Sequence, residues 1–172
     1  MDCFYVGRLS GSKGVVWQYT AIDVASAYTW AFLRSEERNP FARRTAELCH
    51  LVAAELKGAG WKLGEVTTDN GSEFRSKDFG AFVASEKALQ RRIKAGRPNS
   101  NGCVERVQLT ILEECWRPAF SRSLAPKITA LKRDLDEYLR YYNTDRAHTG
   151  RLTKGRVPAD IVFGAGKMGT VR

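Results

Sequence analysis

Three carboxylates, Asp2, Asp69 and Glu105, fall where separate elements can aim them at one point, and their hard oxygen atoms suit divalent ions such as magnesium. Asp69 lies in Thr67-Thr68-Asp69-Asn70-Gly71-Ser72-Glu73-Phe74, where a strand-suited run stops and Asn70-Gly71 forces a tight turn. An acid at such a junction projects from a rigid edge. Asp2 heads another strand-suited run, and Glu105, with 35 residues between it and Asp69, falls in a helix-opening context. Acids on two strands and one helix can bind two ions about 4 Å apart, an arrangement that supports in-line phosphoryl transfer without a protein nucleophile. Taken singly, each acid reads as a turn former or a surface charge, so the set of three carries the reading. Asp23 competes with Asp2 because it also ends a strand, although it suits a cap that fixes the turn at 24–26. Glu65, inside the strand, and Glu73, past the turn, are weaker rivals.

The elements that must hold these acids follow from patterning. Residues 2–8 and Val15–Asp23 read as a hairpin closed over a Gly- and Ser-rich turn, with Tyr28–Leu33 as a third strand. Asn39-Pro40 reads as the start of a helix that runs to about Lys57 and stops at Gly58 and Gly60. Because this helix crosses over, the strand before Asp69 can lie parallel to the first. Ser76 caps a second helix carrying Phe79, Phe82 and Val83, and Leu89–Lys94 reads as a last strand. From Gly102 to Trp116 the spacing predicts a helix with Glu105, Leu109, Leu112 and Trp116 on one side. Ile128, Leu131, Leu135, Tyr138 and Tyr142 mark another amphipathic helix. The remainder, 149–172, is basic and Gly-rich and is expected to be loosely held. The four tryptophans, Trp17, Trp30, Trp61 and Trp116, are expected in the core.

At 172 residues and 43% hydrophobic content, the chain suits one domain with a real core. No membrane-length apolar run or leader pattern appears, so a soluble intracellular protein is expected. Cys3, Cys49, Cys103 and Cys115 are dispersed, which argues against a zinc site and for buried free thiols. The net charge of +9 is lopsided: residues 1–86 carry 10 basic and 11 acidic groups, whereas 87–172 carry 18 and 8. That asymmetry points the second half at a polyanion. Arg91, Arg92, Lys94, Arg97 and Arg106 are the candidate phosphate contacts, of the kind that gives affinity without reading sequence. Gln108, on the Glu105 side of its helix, is a candidate contact to a base or sugar.

Together, Asp2, the Thr-Asp-Asn-Gly-Ser-Glu-Phe run, the 35-residue gap, Asn101-Gly102-Cys103-Val104-Glu105-Arg106 and Tyr142-Asn143-Thr144-Asp145-Arg146-Ala147-His148 resemble the catalytic core of DDE transposases and retroviral-type integrases. The last segment resembles bacterial insertion-sequence members most. The resemblance implies an α/β, RNase H-like fold: a mixed five-stranded sheet, three strands antiparallel and the others parallel, with helices on both faces. Residues 1–148 would form the core and 149–172 a tail. It implies Asp2, Asp69 and Glu105 as catalytic residues and as ligands of two divalent ions, Mg2+ or Mn2+. DNA 3′-end cleavage and strand transfer would follow, with element ends and target DNA as partners. The expected setting is a homo-oligomer in the bacterial cytoplasm, on the nucleoid when DNA-bound. Family members usually carry the first half of the first strand and a separate DNA-binding domain upstream, and both are expected to be absent because Asp2 follows Met1 directly. Two other expectations are a catalytically silent fragment that binds DNA or a transposase, and an RNase H-like nuclease. The Tyr142–His148 segment suits helix termination and packing as well as DNA contact.

Overall fold

Apolar residues on both faces of Val15–Ile22 make this strand, β2, the buried centre of the first sheet. The computed structural model describes residues 1–93, 101–150 and 152–164. In it β2 pairs antiparallel with β1 (Asp2–Gly7), from Asp2 opposite Thr20 to Gly7 opposite Val16. On its other edge it pairs antiparallel with β3 (Thr29–Glu36), from Val15 opposite Glu36 to Ile22 opposite Thr29. Gly14 must be glycine at the β1–β2 turn, since φ is +130° and a Cβ would stand 2.3 Å from the Glu36 carbonyl oxygen.

Helix α1 (Ala42–Gly58) then crosses to β4 (Glu65–Thr68), and α2 (Lys77–Ser85) crosses to β5 (Leu89–Arg92). β4 and β5 are parallel, with Glu65 opposite Leu89 and Thr68 opposite Arg92. Ser76 caps α2 as expected, its Oγ accepting from Phe79 N–H at 3.1 Å. The start of α1 differs from expectation. Its cap position is Phe41, without a side-chain bond, because Asn39-Pro40 stays extended ahead of the first turn.

The remaining chain forms α3 (Gly102–Ile111), a π-turn at Leu112–Trp116, α4 (Arg117–Arg122), α5 (Ile128–Thr144) and α6 (Pro158–Phe163). α1 and α2 cover one face, packing Leu48, Val52, Phe79 and Phe82 inward, and α3 with α5 covers the other with Val107, Ile111, Leu131 and Leu135. The expected architecture, an RNase H-like α/β fold with helices on both faces, is the one observed.

Three details depart from the expected packing. The strands form a three-stranded and a two-stranded sheet, and what joins them is a hydrogen bond from the Met1 α-amino group to the Thr67 carbonyl at 2.7 Å. β1 reaches β4 only at its first residue, so no ladder forms across the seam. The inward face of α3 is Val104, Val107, Gln108 and Ile111, leaving Leu109 52% exposed, because the π-turn shifts the phase and brings Ile111 and Trp116 onto the same face. The supposed tail is also anchored as far as Gly164: Ala159 and Val162 are buried, and Trp61 Nε1 donates to the Val162 carbonyl at 2.8 Å. Trp61 is accordingly exposed over most of its ring, Trp17 is half-buried, and Trp30 and Trp116 lie in the core. Cys49 and Cys115 are buried free thiols, whereas Cys103 is exposed and Cys3 is half-buried.

Candidate active site

The three acids come from the first residue of β1, the residue after β4 and the first turn of α3. Each is held by its local backbone. Asp2 Oδ1 accepts from Cys3 N–H at 2.8 Å, and Asp69 Oδ1 accepts from Gly71 N–H at 3.0 Å, the side-chain turn that Asp-Asn-Gly favours. Asn70 Nδ2 donates to the Ile93 carbonyl at 2.9 Å and ties this turn to the end of β5. Glu105 is exposed, and as the acid in the first turn of α3 it complements the helix dipole.

Burial pushes the Asp2 carboxyl up to about 6, the carboxylates of Asp69 and Glu105 raise it further, and the Cys3 N–H and the α-amino group of Met1 oppose the rise. The three acids therefore share one electrostatic field. Burial holds the Met1 α-amino group well below its ordinary value against the pull of Asp2 and Asp69. Cys3, buried beside Glu73, Asp2 and Asp69, has its thiol pushed far up and is inert as a nucleophile. Glu73 thus approaches the cluster through Cys3, closer to the site than its place past the turn suggested. The donors have the hard oxygen chemistry that suits Mg2+ or Mn2+. Among the described residues, no three His, Cys, Asp or Glu side chains stand close enough together to hold an ion as they are placed.

Asp23 is the strand-end cap: its Oδ2 accepts from the N–H of Ser26 at 2.9 Å and from the Ser26 hydroxyl. Glu65 pairs with Arg91 across β4 and β5 at 3.2 Å, which leaves Arg91 less available to a phosphate than expected. Arg92 and Arg106 are exposed. Lys94 and Arg97 lie outside the described residues. Gln108 is 8% exposed with its Nε2 buried and unpartnered, so its side chain faces the protein interior and not a DNA surface, as the phase of α3 requires.

Part of the Tyr142–His148 segment has a structural role that the sequence reading missed. Asn143 Oδ1 accepts from Thr29 N–H at 2.9 Å, and Nδ2 donates to the Thr29 carbonyl at 2.8 Å, so one side chain pairs with the first residue of β3 as a strand would. Arg146 binds Glu114 and lies over the Tyr142 ring at 5.7 Å, and His148 meets that ring edge-on at 4.4 Å.

Residues 87–152 match the integrase core domain family. A retrovirus-related Pol polyprotein from transposon TNT 1-94 of Nicotiana tabacum is 28% identical over 109 residues, 63% of this chain and 8% of that protein. The fold is similar to the HTLV-2 integrase catalytic core domain in complex with magnesium, with TM-score 0.65 and 16% identity over 93% of both chains. It is also similar to a chain of the simian T-cell lymphotropic virus intasome, with TM-score 0.67 and 18% identity over 94% of this chain and 53% of that one. Fold and family match define the class as integrase-like cores of RNase H-like fold, the resemblance that the motifs carry. This chain spans a small fraction of the polyprotein and about half of the intasome chain.

Proposed function

We propose that the chain carries out polynucleotidyl transfer on DNA, cleaving 3′ ends and joining them to a target, with Asp2, Asp69 and Glu105 as its catalytic carboxylates. The observation that carries this reading is the delivery of the three acids, from β1, β4 and α3, into one field strong enough to raise Asp2. Two divalent ions held by these carboxylates would activate a water or a 3′-hydroxyl and neutralise charge at the leaving oxygen. The magnesium complex of the HTLV-2 core supports that choice of ion. The chain itself orients the acids: the N–H groups of Cys3 and Gly71 fix two carboxylate rotamers before any ligand arrives. Arg92 and Arg106 present charge to a phosphate backbone, and the active form is a homo-oligomer on element ends and target DNA.

A second reading, a fragment that binds DNA or a transposase without chemistry, is favoured by the Met1 α-amino group lying among the acids and by the separation of possible ligands. Thermal melting with and without Mn2+ separates the two. On the catalytic reading, Mn2+ at a hundredfold excess over its Kd stabilises the chain by about 2.7 kcal/mol. Asp69→Asn and Glu105→Gln each remove most of that gain without lowering the metal-free melting temperature, and nicking of a labelled duplex falls in parallel. DNA binding with neither metal stabilisation nor nicking would establish the fragment reading.

A further inference from the structure

Between the first turns of α3, the loop after β2 and the chain beyond α5 lies a cavity of about 770 Å3, within the size range of small-molecule sites. Cys103 and Arg106 line it on either side of Glu105 in sequence, so the acid emerges from the same helical turn that forms one wall. Its floor is apolar and partly open to water: Val24 is 60% and Leu152 54% exposed, and Ile22 lies beside them. Its charge is cationic. Arg106 is exposed at the wall, and Arg146 is held in place by Glu114 and the Tyr142 ring.

The outer wall is built in advance of any ligand. His148 N–H donates to the Arg156 carbonyl at 3.1 Å, Gly155 N–H returns to the His148 carbonyl at 2.8 Å, and the Thr153 hydroxyl closes the same turn on Gly150 at 3.1 Å. An apolar floor with fixed cations above it matches one ligand chemistry, a flat base joined to a phosphate. A duplex keeps its bases stacked and offers only its backbone, so the floor can be filled only by a nucleotide that has left the stack.

We infer that this cavity takes one unstacked nucleotide of the DNA strand presented to the carboxylates, its base on Ile22, Val24 and Leu152 and a flanking phosphate at Arg106. The identity of that strand rests on the polynucleotidyl-transfer reading; the existence of the pocket does not.

The test uses the full chain carrying Asp69→Asn, without divalent ions, so that binding is read apart from chemistry. Its probe is a fluorescein-labelled duplex with a splayed single-stranded end, compared with the same DNA lacking one base in that end and with a blunt duplex. Removal of the base that occupies the pocket weakens splayed-end binding by about tenfold. Leu152→Glu, on an exposed side chain and with an unchanged melting temperature, produces a similar loss on the intact end and little further loss on the abasic one. Blunt duplex is weakened much less by the same substitution. Equal affinity for intact and abasic ends at every position, or equal weakening of blunt and splayed DNA by Leu152→Glu, would reduce the cavity to a backbone contact and overturn the inference. Nicking by the unsubstituted chain is scored separately: nicking without base dependence removes the pocket and leaves the chemistry, and base-dependent binding without nicking does the reverse.

Discussion

Asn143 shows how much one amide can hold in a position that its neighbours do not reveal. It satisfies both backbone groups of Thr29, a residue 1% exposed, so truncation leaves a buried donor and a buried acceptor unpaired. Asn143→Ala is expected to lower stability by about 2–4 kcal/mol, read from the denaturant midpoint at constant slope. Asn143→Asp keeps the acceptor but sets a carboxylate against the Thr29 carbonyl, and should not rescue it. His148 belongs to the same segment and gives it a pH dependence. Burial, helped by Arg146, holds its imidazole below the usual 6.5, against the Tyr142 carbonyl, which favours the charged form. The unfolded chain therefore takes up a proton at higher pH than the folded one, so this contribution is complete above about 6.5 and is lost as pH falls through the lower folded value. The melting temperature should drop between about pH 7.5 and 5.5, and drop less in His148→Gln.

At the scale of elements, the π-turn at Leu112–Trp116 fixes the helix that carries Glu105. It turns Trp116 into the core, where Nε1 donates to Gln18 Oε1 at 2.7 Å and Gln18 Nε2 in turn donates to Thr20 Oγ1 at 2.8 Å. Trp116→Phe should keep the fold and lose about 1–3 kcal/mol in chemical denaturation, since Gln18 is left with an unpaired buried acceptor. Order and type of elements were legible in the sequence because periods of two and of 3.6 were clean over β2, β3 and α5, and Ser76 signalled its helix directly. The inward face of α3 was not legible. Leu109 and Leu112 continue a plausible stripe, and nothing local marks the inserted π-turn or the inward Gln108. For the site, the turn chemistry at Asp69 and the cap at Asp23 could be read from neighbouring residues. The approach of Glu73 to Cys3 and the pairing of Glu65 with Arg91 depend on strand register, which short β4 and β5 encode weakly.

Across the whole molecule, the lopsided charge leads to a measurable consequence for binding. Phosphate contacts release counterions, so affinity for a blunt duplex should fall steeply between about 50 and 200 mM salt and vary little with sequence. Flat salt dependence in a fluorescence titration would contradict a backbone interface built on Arg92, Arg106 and their neighbours. Among the described residues no helix is long and apolar enough to cross a membrane.

The seam between the two sheets has a practical corollary for anyone handling this protein. Its front amine is fully engaged, pressed against the Thr67 carbonyl with two acids beside it. A purification handle fused there would have to thread its peptide bond through the acid cluster, remove the one positive charge that the amine supplies, and reset the spacing of β1 against β4. Handles, dyes and surface anchors therefore belong beyond α6, and an amine-directed label should mark the lysines while leaving Met1 untouched.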